Sequence, residues 1–131
     1  SMAGLVGLPM VVPYCTTKFA VVGLSEALNA ELGIHGIRVT AICPGATRTR
    51  VMEDARLDLP GGLADKMRAS LAAHAPMPDG VAKRVVKAVE RGESFVPIGL
   101  DMIPLWRLRQ TSIRFYQRMS RSITKRITPP R

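Results

Sequence analysis

The sequence is poor in cysteine, in aromatic residues and in acidic residues. Its 131 residues include two cysteines, Cys15 and Cys43, and aromatic residues make up 5% of the chain. Two cysteines cannot build the disulfide framework of a small secreted domain, so we expect reduced thiols and a cytoplasmic protein. Lys and Arg number 19 against 10 Asp and Glu, which gives a net charge of +9.

The sequence also lacks an apolar stretch long enough to span a bilayer. The first apolar stretch, residues 2–13, contains Pro9 and Pro13 and is shorter than the roughly 20 residues that a spanning helix needs. It has no charged start of the kind that signal peptides carry. Because 47% of the residues are hydrophobic, the composition favours one domain of ordinary size with its own core.

Glycines, prolines and hydrophobic periodicity predict the first elements. Gly4, Gly7 and Pro9 indicate a loop that leads into a helix, and Gly33 or Gly36 would end that helix. Its apolar positions fall on one predicted stripe, namely Val21, Leu24, Leu28 and Leu32. The β-branched run at 37–43 then predicts a buried strand.

A second helix and a second strand follow further along the chain. Asp79 is a good N-cap for this helix and Gly92 a good stop, and its predicted buried face carries Val81, Val85, Ala88 and Val89. The pattern of residues 94–98 predicts a second strand after this helix. The order helix, strand, helix, strand is typical of a parallel α/β sheet.

A tyrosine and a lysine stand four residues apart at the start of the first predicted helix. Tyr14 and Lys18 should therefore project from the same helix face. An ammonium group near a phenol favours the phenolate, which makes the phenol a usable proton donor and acceptor. The same spacing also occurs by chance on surface helices, where the lysine stem simply covers the ring.

Two further segments accompany this pair in a fixed order. Ser1 precedes Tyr14 by 13 residues, and the strand after the helix breaks at Pro44-Gly45 and leads to Thr49. With these three segments the sequence strongly resembles the short-chain dehydrogenase/reductase family. The resemblance is close over residues 1–49 and looser up to about residue 99. It implies an NAD- or NADP-dependent oxidoreductase with a Rossmann-like, doubly wound parallel sheet.

The resemblance implies a role for each matching residue. Tyr14 would exchange a proton with the substrate oxygen, and Ser1 would bind that oxygen. Lys18 would stabilise the phenolate and bind the nicotinamide ribose, so Tyr14 and Lys18 would also line the cofactor site. The other cofactor-binding residues that it implies are Pro44, Gly45, Thr47 and Thr49. The reaction would be hydride transfer between the nicotinamide and a carbonyl or alcohol carbon, without a metal.

The glycine-rich turn of a dinucleotide site is absent from the sequence. The asparagine that precedes the serine in the family has no counterpart either. We therefore expect residues 1–100 to be the C-terminal half of a dehydrogenase domain, whose usual length is about 250–300 residues. We expect such a half by itself neither to bind the cofactor nor to convert a substrate.

Residues 50–78 correspond to the variable segment that forms the substrate lid in the family. Apolar side chains give this segment a hydrophobic face, which favours a small apolar substrate: Val51, Met52, Leu57, Leu59, Leu63, Met67 and Leu71. Packing of the lid helices against the domain would explain the same apolar side chains equally well. Pro60-Gly61-Gly62 predicts a turn between two helices. His74 has no partner at metal-ligand spacing and His35 lies where the first helix ends, so we assign neither a catalytic role.

Residues 101–131 form a basic amphipathic tail, which contains eight Lys or Arg residues and, from Trp106 onward, no acid. The predicted apolar face carries Ile113, Tyr116, Met119, Ile123 and Ile127, and the basic face Arg107, Arg114, Arg118, Arg121 and Lys125. Such a helix can lie on an anionic membrane with Trp106 and Tyr116 near the headgroups. A partner-docking helix and a capping helix with a solvated face are the alternatives. Nucleic acid ranks last because no binding motif is present.

Two classes of function follow from these observations. Ser1, Tyr14 and Lys18 together favour an oxidoreductase, whereas the tail alone would suit a non-catalytic protein of the same fold that docks on a membrane or a partner. Members of the family often pair through the helix that carries the tyrosine and lysine. We therefore also expect a homo-oligomer, with Phe19, Val22 and residues 24–28 as candidate contacts.

Overall fold

The computed structural model describes residues 1–50, 62–99 and 102–127. Over these residues the predicted order of helix, strand, helix, strand is confirmed, with further helices added. The elements are a 3-10 helix at Met2–Gly4, α1 (Val12–Gly33), β1 (Ala41–Pro44), α2 (Leu63–His74), α3 (Pro78–Arg91), β2 (Phe95–Ile98), α4 (Ile103–Thr111) and α5 (Ile113–Ile127). The lid residues Val51, Met52, Leu57 and Leu59 and the predicted turn residues Pro60 and Gly61 lie outside the described residues.

The two strands form a parallel pair. Ala41 lies opposite Phe95, and Pro44 lies opposite Ile98. The predicted strand at 37–43 is confirmed only in its last part, since β1 begins at Ala41. Upstream of β1, the Val39 amide donates a hydrogen bond to the side-chain oxygen of an α1 residue, Asn29, at 3.2 Å. The backbone before β1 is therefore held by a side chain of α1.

The 3-10 helix lies at the centre of the core, although the sequence pattern predicts only a loop there. Met2 and Leu5 form a buried cluster with Cys43 of β1. Half-buried side chains from α1, β2 and the start of α4 pack around this cluster: Val22, Phe95, Met102, Ile103 and Trp106. The Phe95 and Trp106 rings lie 5.5 Å apart between their centroids. The N-terminal turn thus connects α1, both strands and α4 through apolar contacts.

The buried face of α1 differs from the predicted apolar stripe. Val21 and Leu24 are 55% and 59% exposed, whereas Cys15 is buried and Val22 packs on the core. Cys15 and Val22 lie seven residues apart, which places them on one face. Val21 and Leu24 of the predicted stripe therefore lie outside the buried face, which Cys15 and Val22 form.

The bounds of α3 agree closely with the prediction. Its first residue is Pro78, which suits a first turn because the missing amide would have no partner there. Asp79 consequently lies inside the first turn and is not the cap. Gly92 ends the helix with a φ of 64°, as predicted. Ala88 is fully buried, but Val89 is exposed, so the predicted face is correct only in part.

The basic tail consists of two helices, where one was predicted. Ser112 separates α4 from α5, and its hydroxyl oxygen accepts a hydrogen bond from the Phe115 amide at 3.3 Å. Trp106 packs in the core, and Tyr116 is only 7% exposed. The expectation that these two aromatic rings face lipid headgroups is therefore wrong, because a buried tyrosine hydroxyl has found a partner within the chain.

The predicted basic face of α5 is exposed to solvent, and it consists of Arg114, Arg118, Arg121 and Lys125. In the part of the chain that the structure describes, no helix is both long and apolar enough to cross a membrane. Contact of this face with a membrane surface stays a prediction. On α4, the guanidinium carbon of Arg109 lies 5.3 Å from the centroid of the Phe19 ring of α1. This cation–π contact attaches the tail to α1.

Candidate active site

Tyr14 and Lys18 lie together on the first turns of α1. The helix begins at Val12 with Pro13 in its first turn, so Tyr14 stands near the N-terminus and Lys18 one turn further on. The Lys18 Nζ atom is 5.4 Å from the centroid of the Tyr14 ring. Tyr14 is 43% exposed and Lys18 is half-buried. The prediction that the two side chains share one face is thus confirmed, with the phenol open to a ligand.

Ser1 caps the 3-10 helix and lies beside β1. Its Oγ atom accepts a hydrogen bond from the Ala3 amide at 3.2 Å. Its main-chain nitrogen lies 3.4 Å from the carbonyl oxygen of Ile42. Because the Oγ atom uses a lone pair in the cap, its own O–H remains able to donate. Ser1 is therefore tied to β1 and keeps a hydrogen-bond donor.

Gly4 allows the turn that carries Ser1 to approach the turn that carries Lys18. A Cβ atom at position 4 would lie 2.6 Å from the Lys18 carbonyl oxygen and 2.9 Å from the Val22 Cγ2 atom. Such distances are far shorter than van der Waals contact, so only glycine permits this approach. The 3-10 helix consequently packs against α1 at the backbone of Lys18.

The turn after β1 lies at the carboxyl end of the parallel strands. The Gly45 amide donates to the Ile98 carbonyl at 2.6 Å, which continues the strand pairing by one residue. The Thr47 hydroxyl donates to the Gly45 carbonyl at 3.3 Å, and Thr49 is exposed. Ligands of open α/β sheets bind outside the carboxyl ends of the strands. Pro44, Gly45 and Thr47 thus lie at the edge where such a ligand would bind.

Tyr116 of α5 contacts the loop that precedes α1, which no sequence pattern indicated. Its hydroxyl donates a hydrogen bond to the carbonyl of Gly7, at 2.5 Å and across 109 residues of chain. Burial raises the pKa of the Tyr116 phenol, and the positive charge of the nearby Arg109 acts in the opposite direction. Spacing within the sequence cannot predict so distant a contact. The close approach at Gly4, in contrast, had a signal in the glycine that follows soon after Ser1.

Comparison with known proteins identifies the family. Residues 1–60, which include the Ser1, Tyr14, Lys18 and Pro44-Gly45 positions, match the family model described as short chain dehydrogenase. This part of the chain is therefore similar to the short-chain dehydrogenase family. The resemblance drawn from the three sequence segments is thereby confirmed.

Two similar proteins carry the names of a reductase and a dehydrogenase. The chain is 50% identical over 54 residues to the A-factor type gamma-butyrolactone 1'-reductase (1S-forming) of Streptomyces virginiae, a match that covers 41% of this chain and 21% of that protein. It is 49% identical over 63 residues to the 2,5-dichloro-2,5-cyclohexadiene-1,4-diol dehydrogenase of Sphingobium indicum, which covers 48% of this chain and 25% of that enzyme. The chain thus spans about a quarter or less of the length of these two relatives.

A third relative extends the similarity into the C-terminal helices. The chain is 32% identical over 124 residues to the putative oxidoreductase SadH of Mycobacterium tuberculosis, and this match covers 91% of this chain and 44% of that protein. Because only 9% of the chain remains uncovered, the match includes part of the segment after Gly99. Similarity to this relative is therefore not confined to the residues of the candidate site.

Proposed function

We propose that this chain is part of an NAD- or NADP-dependent oxidoreductase that interconverts a carbonyl and an alcohol group in a small apolar molecule. The observation that carries the proposal is the approach of the Ser1 turn to the Lys18 backbone at Gly4. This contact brings the serine segment against the helix that holds the tyrosine and the lysine. Ser1, Tyr14 and Lys18 would thus serve one site, in which they bind a substrate oxygen atom and transfer a proton to it.

In this proposal each of the three side chains has a separate task. Tyr14 gives a proton to the substrate oxygen during reduction and takes it back during oxidation. Lys18 holds its ammonium group beside the Tyr14 ring, with Nζ 5.4 Å from the ring centroid, and binds the ribose of the nicotinamide. Ser1 donates its O–H to the substrate oxygen, where negative charge develops during reduction.

The residues present fit the nicotinamide part of the cofactor. Lys18 offers an ammonium donor for ribose hydroxyls, and the turn at Pro44, Gly45, Thr47 and Thr49 begins at the ligand-binding edge of the sheet. When bound, the nicotinamide supplies or accepts the hydride. We also propose that β1 and β2 belong to a doubly wound, Rossmann-like sheet, whose full set of strands would accommodate the rest of the dinucleotide.

We further propose that the protein forms a homo-oligomer along α1 and that residues 50–78 form a lid over the substrate. The support for pairing is the exposed apolar side chains of Val21 and Leu24, since such side chains are typical of an interface. The support for an apolar substrate is the half-buried Leu63 and Leu71 and the partly exposed Met67 on α2.

Replacement of Ser1 by alanine in the full-length protein tests the proposal. We expect kcat for carbonyl reduction to fall about 10²-fold, because removal of one preplaced donor typically costs about 10²- to 10³-fold. The dissociation constant for the reduced nicotinamide should stay unchanged. The measurement is the consumption of NADH and of NADPH with a set of small apolar ketones.

Ser25→Ala is the matched control for this experiment. The Ser25 hydroxyl donates to the Val21 carbonyl of its own helix at 2.8 Å, and its loss should leave kcat unchanged. Equal rates for Ser1→Ala and Ser25→Ala would exclude the role given to Ser1. Absence of carbonyl-dependent nicotinamide consumption by the wild-type protein would overturn the proposed function as a whole.

A further inference from the structure

A connecting loop, residues 7–11, joins the turn that carries Ser1 to the helix that carries Tyr14. The loop contains Met10, whose φ of 68° lies in the left-handed region. Residues other than glycine rarely adopt this conformation because the Cβ atom crowds the backbone. Such a backbone persists only where surrounding contacts hold it in place. The contacts made by this loop therefore bear on the relative position of Ser1 and Tyr14.

Two neighbouring helices hold the first half of the connecting loop. From α1, the Cys15 Sγ atom accepts a hydrogen bond from the Leu8 amide at 3.3 Å. From α5, the Tyr116 hydroxyl donates to the Gly7 carbonyl at 2.5 Å. The first contact links the loop to the helix that follows it. The second links it to an element that is distant in sequence.

The burial of Tyr116 distinguishes it from its neighbours on α5. Its ring is 7% exposed, whereas the adjacent Phe115 is more than half exposed. Gly7, the acceptor residue, is itself exposed. Water can therefore reach the Gly7 carbonyl if the tyrosine hydroxyl is removed. A hydrogen bond from water would then replace the one from Tyr116. Water would not fix the loop, and the fold would be retained.

We propose that Tyr116 is a positioning residue for the active site. Its hydroxyl fixes the connecting loop from α5 and thereby sets the position of Ser1 relative to Tyr14; this inference rests on the proposed function. Arg109 supports the same arrangement, because its contact with Phe19 holds α4 against the following turn of α1. The C-terminal helices thus act on catalysis through the loop and without touching the substrate.

Tyr116→Phe in the full-length protein tests this inference, since the ring is kept and one oxygen is lost. We expect the amides of Leu8, Met10 and Val11 to exchange hydrogen about fivefold faster, the factor that corresponds to one ordinary hydrogen bond. We also expect kcat to fall about tenfold, given that a displacement of about 1 Å can cost about 10²-fold. The dissociation constant for the nicotinamide should not change, which separates a positioning effect from general destabilisation.

Thr124→Val is the matched control. The Thr124 hydroxyl donates to the Ser120 carbonyl within α5 at 2.9 Å, so this variant removes a hydroxyl from the same helix without touching the loop. Its exchange rates and kcat should equal those of the wild type. An active wild type with an unchanged kcat or unchanged loop exchange in Tyr116→Phe overturns the positioning role alone. A wild-type protein with no turnover overturns the proposed function, and the positioning role with it.

Discussion

Tyr14→Phe is expected to lower kcat of the full-length protein about 10³-fold, within the range of about 10²- to 10⁴-fold that a positioned proton donor typically contributes. The substitution keeps the ring beside Lys18 and removes only the atom that carries the proton. The affinity for NADH or NADPH should be retained, because Lys18 and the turn after β1 are unchanged. Rates of single turnover and a fluorescence titration with the reduced nicotinamide measure the two quantities separately.

The second tyrosine of the chain provides an internal comparison for this variant. Tyr14→Phe and Tyr116→Phe each remove one phenolic oxygen, one from an exposed ring and one from a buried ring. We expect the fold decrease in kcat to be about 100 times larger for Tyr14→Phe than for Tyr116→Phe. Tyr14 transfers the proton itself, whereas Tyr116 only positions other residues. Retention of turnover by Tyr14→Phe would contradict the assignment of the proton donor.

Gly4→Ala is expected to lower both the stability and the activity of the full-length protein. The added methyl group would meet the Lys18 carbonyl oxygen at 2.6 Å, and a helix backbone cannot move away as a flexible side chain can. We expect the free energy of unfolding to fall by about 2 kcal/mol, as for other overpacked sites. We also expect kcat to fall about 10²-fold because the Ser1 turn must move away from α1. Urea denaturation and steady-state kinetics measure these effects.

Gly23→Ala is the control for this substitution, and it should have the opposite effect on stability. Gly23 lies in the interior of α1, and among the described residues a Cβ atom there would have no neighbour within 4 Å. Alanine favours the helix by about 1 kcal/mol over glycine, so the variant should be more stable than the wild type. A Gly4→Ala variant as stable and active as Gly23→Ala would show that the close approach at Gly4 is unimportant.

The features that the sequence predicted correctly depend on local interactions. The shared face of Tyr14 and Lys18 follows from helical geometry over four residues, and the end of α3 at Gly92 follows from the conformational freedom of glycine. The family resemblance rests on short segments whose spacing is visible in the chain. These features require no knowledge of what packs against each element.

The features that the sequence did not predict depend on contacts between distant elements. Periodicity showed that α1 has apolar positions, but the buried face was determined by the 3-10 helix, which packs against Val22 and leaves Val21 and Leu24 exposed. The periodic position of Tyr116 is equally compatible with a helix that faces a membrane and with a helix that packs against the rest of the chain. Its hydrogen bond to Gly7 places the ring against the rest of the chain, and this contact exists only once the chain is folded.

The contact between Arg109 and Phe19 restricts how two copies of the chain can pair along α1. Successive residues of an α-helix are rotated by about 100°, so Phe19 and Val21 point to nearly opposite sides of the helix. The Phe19 side is already covered by Arg109 of the same chain, and Val22 is engaged in the core. In the homo-oligomer that we propose, a partner helix would therefore meet the side of Val21 and Leu24, with the arginine-covered side of each copy facing outward.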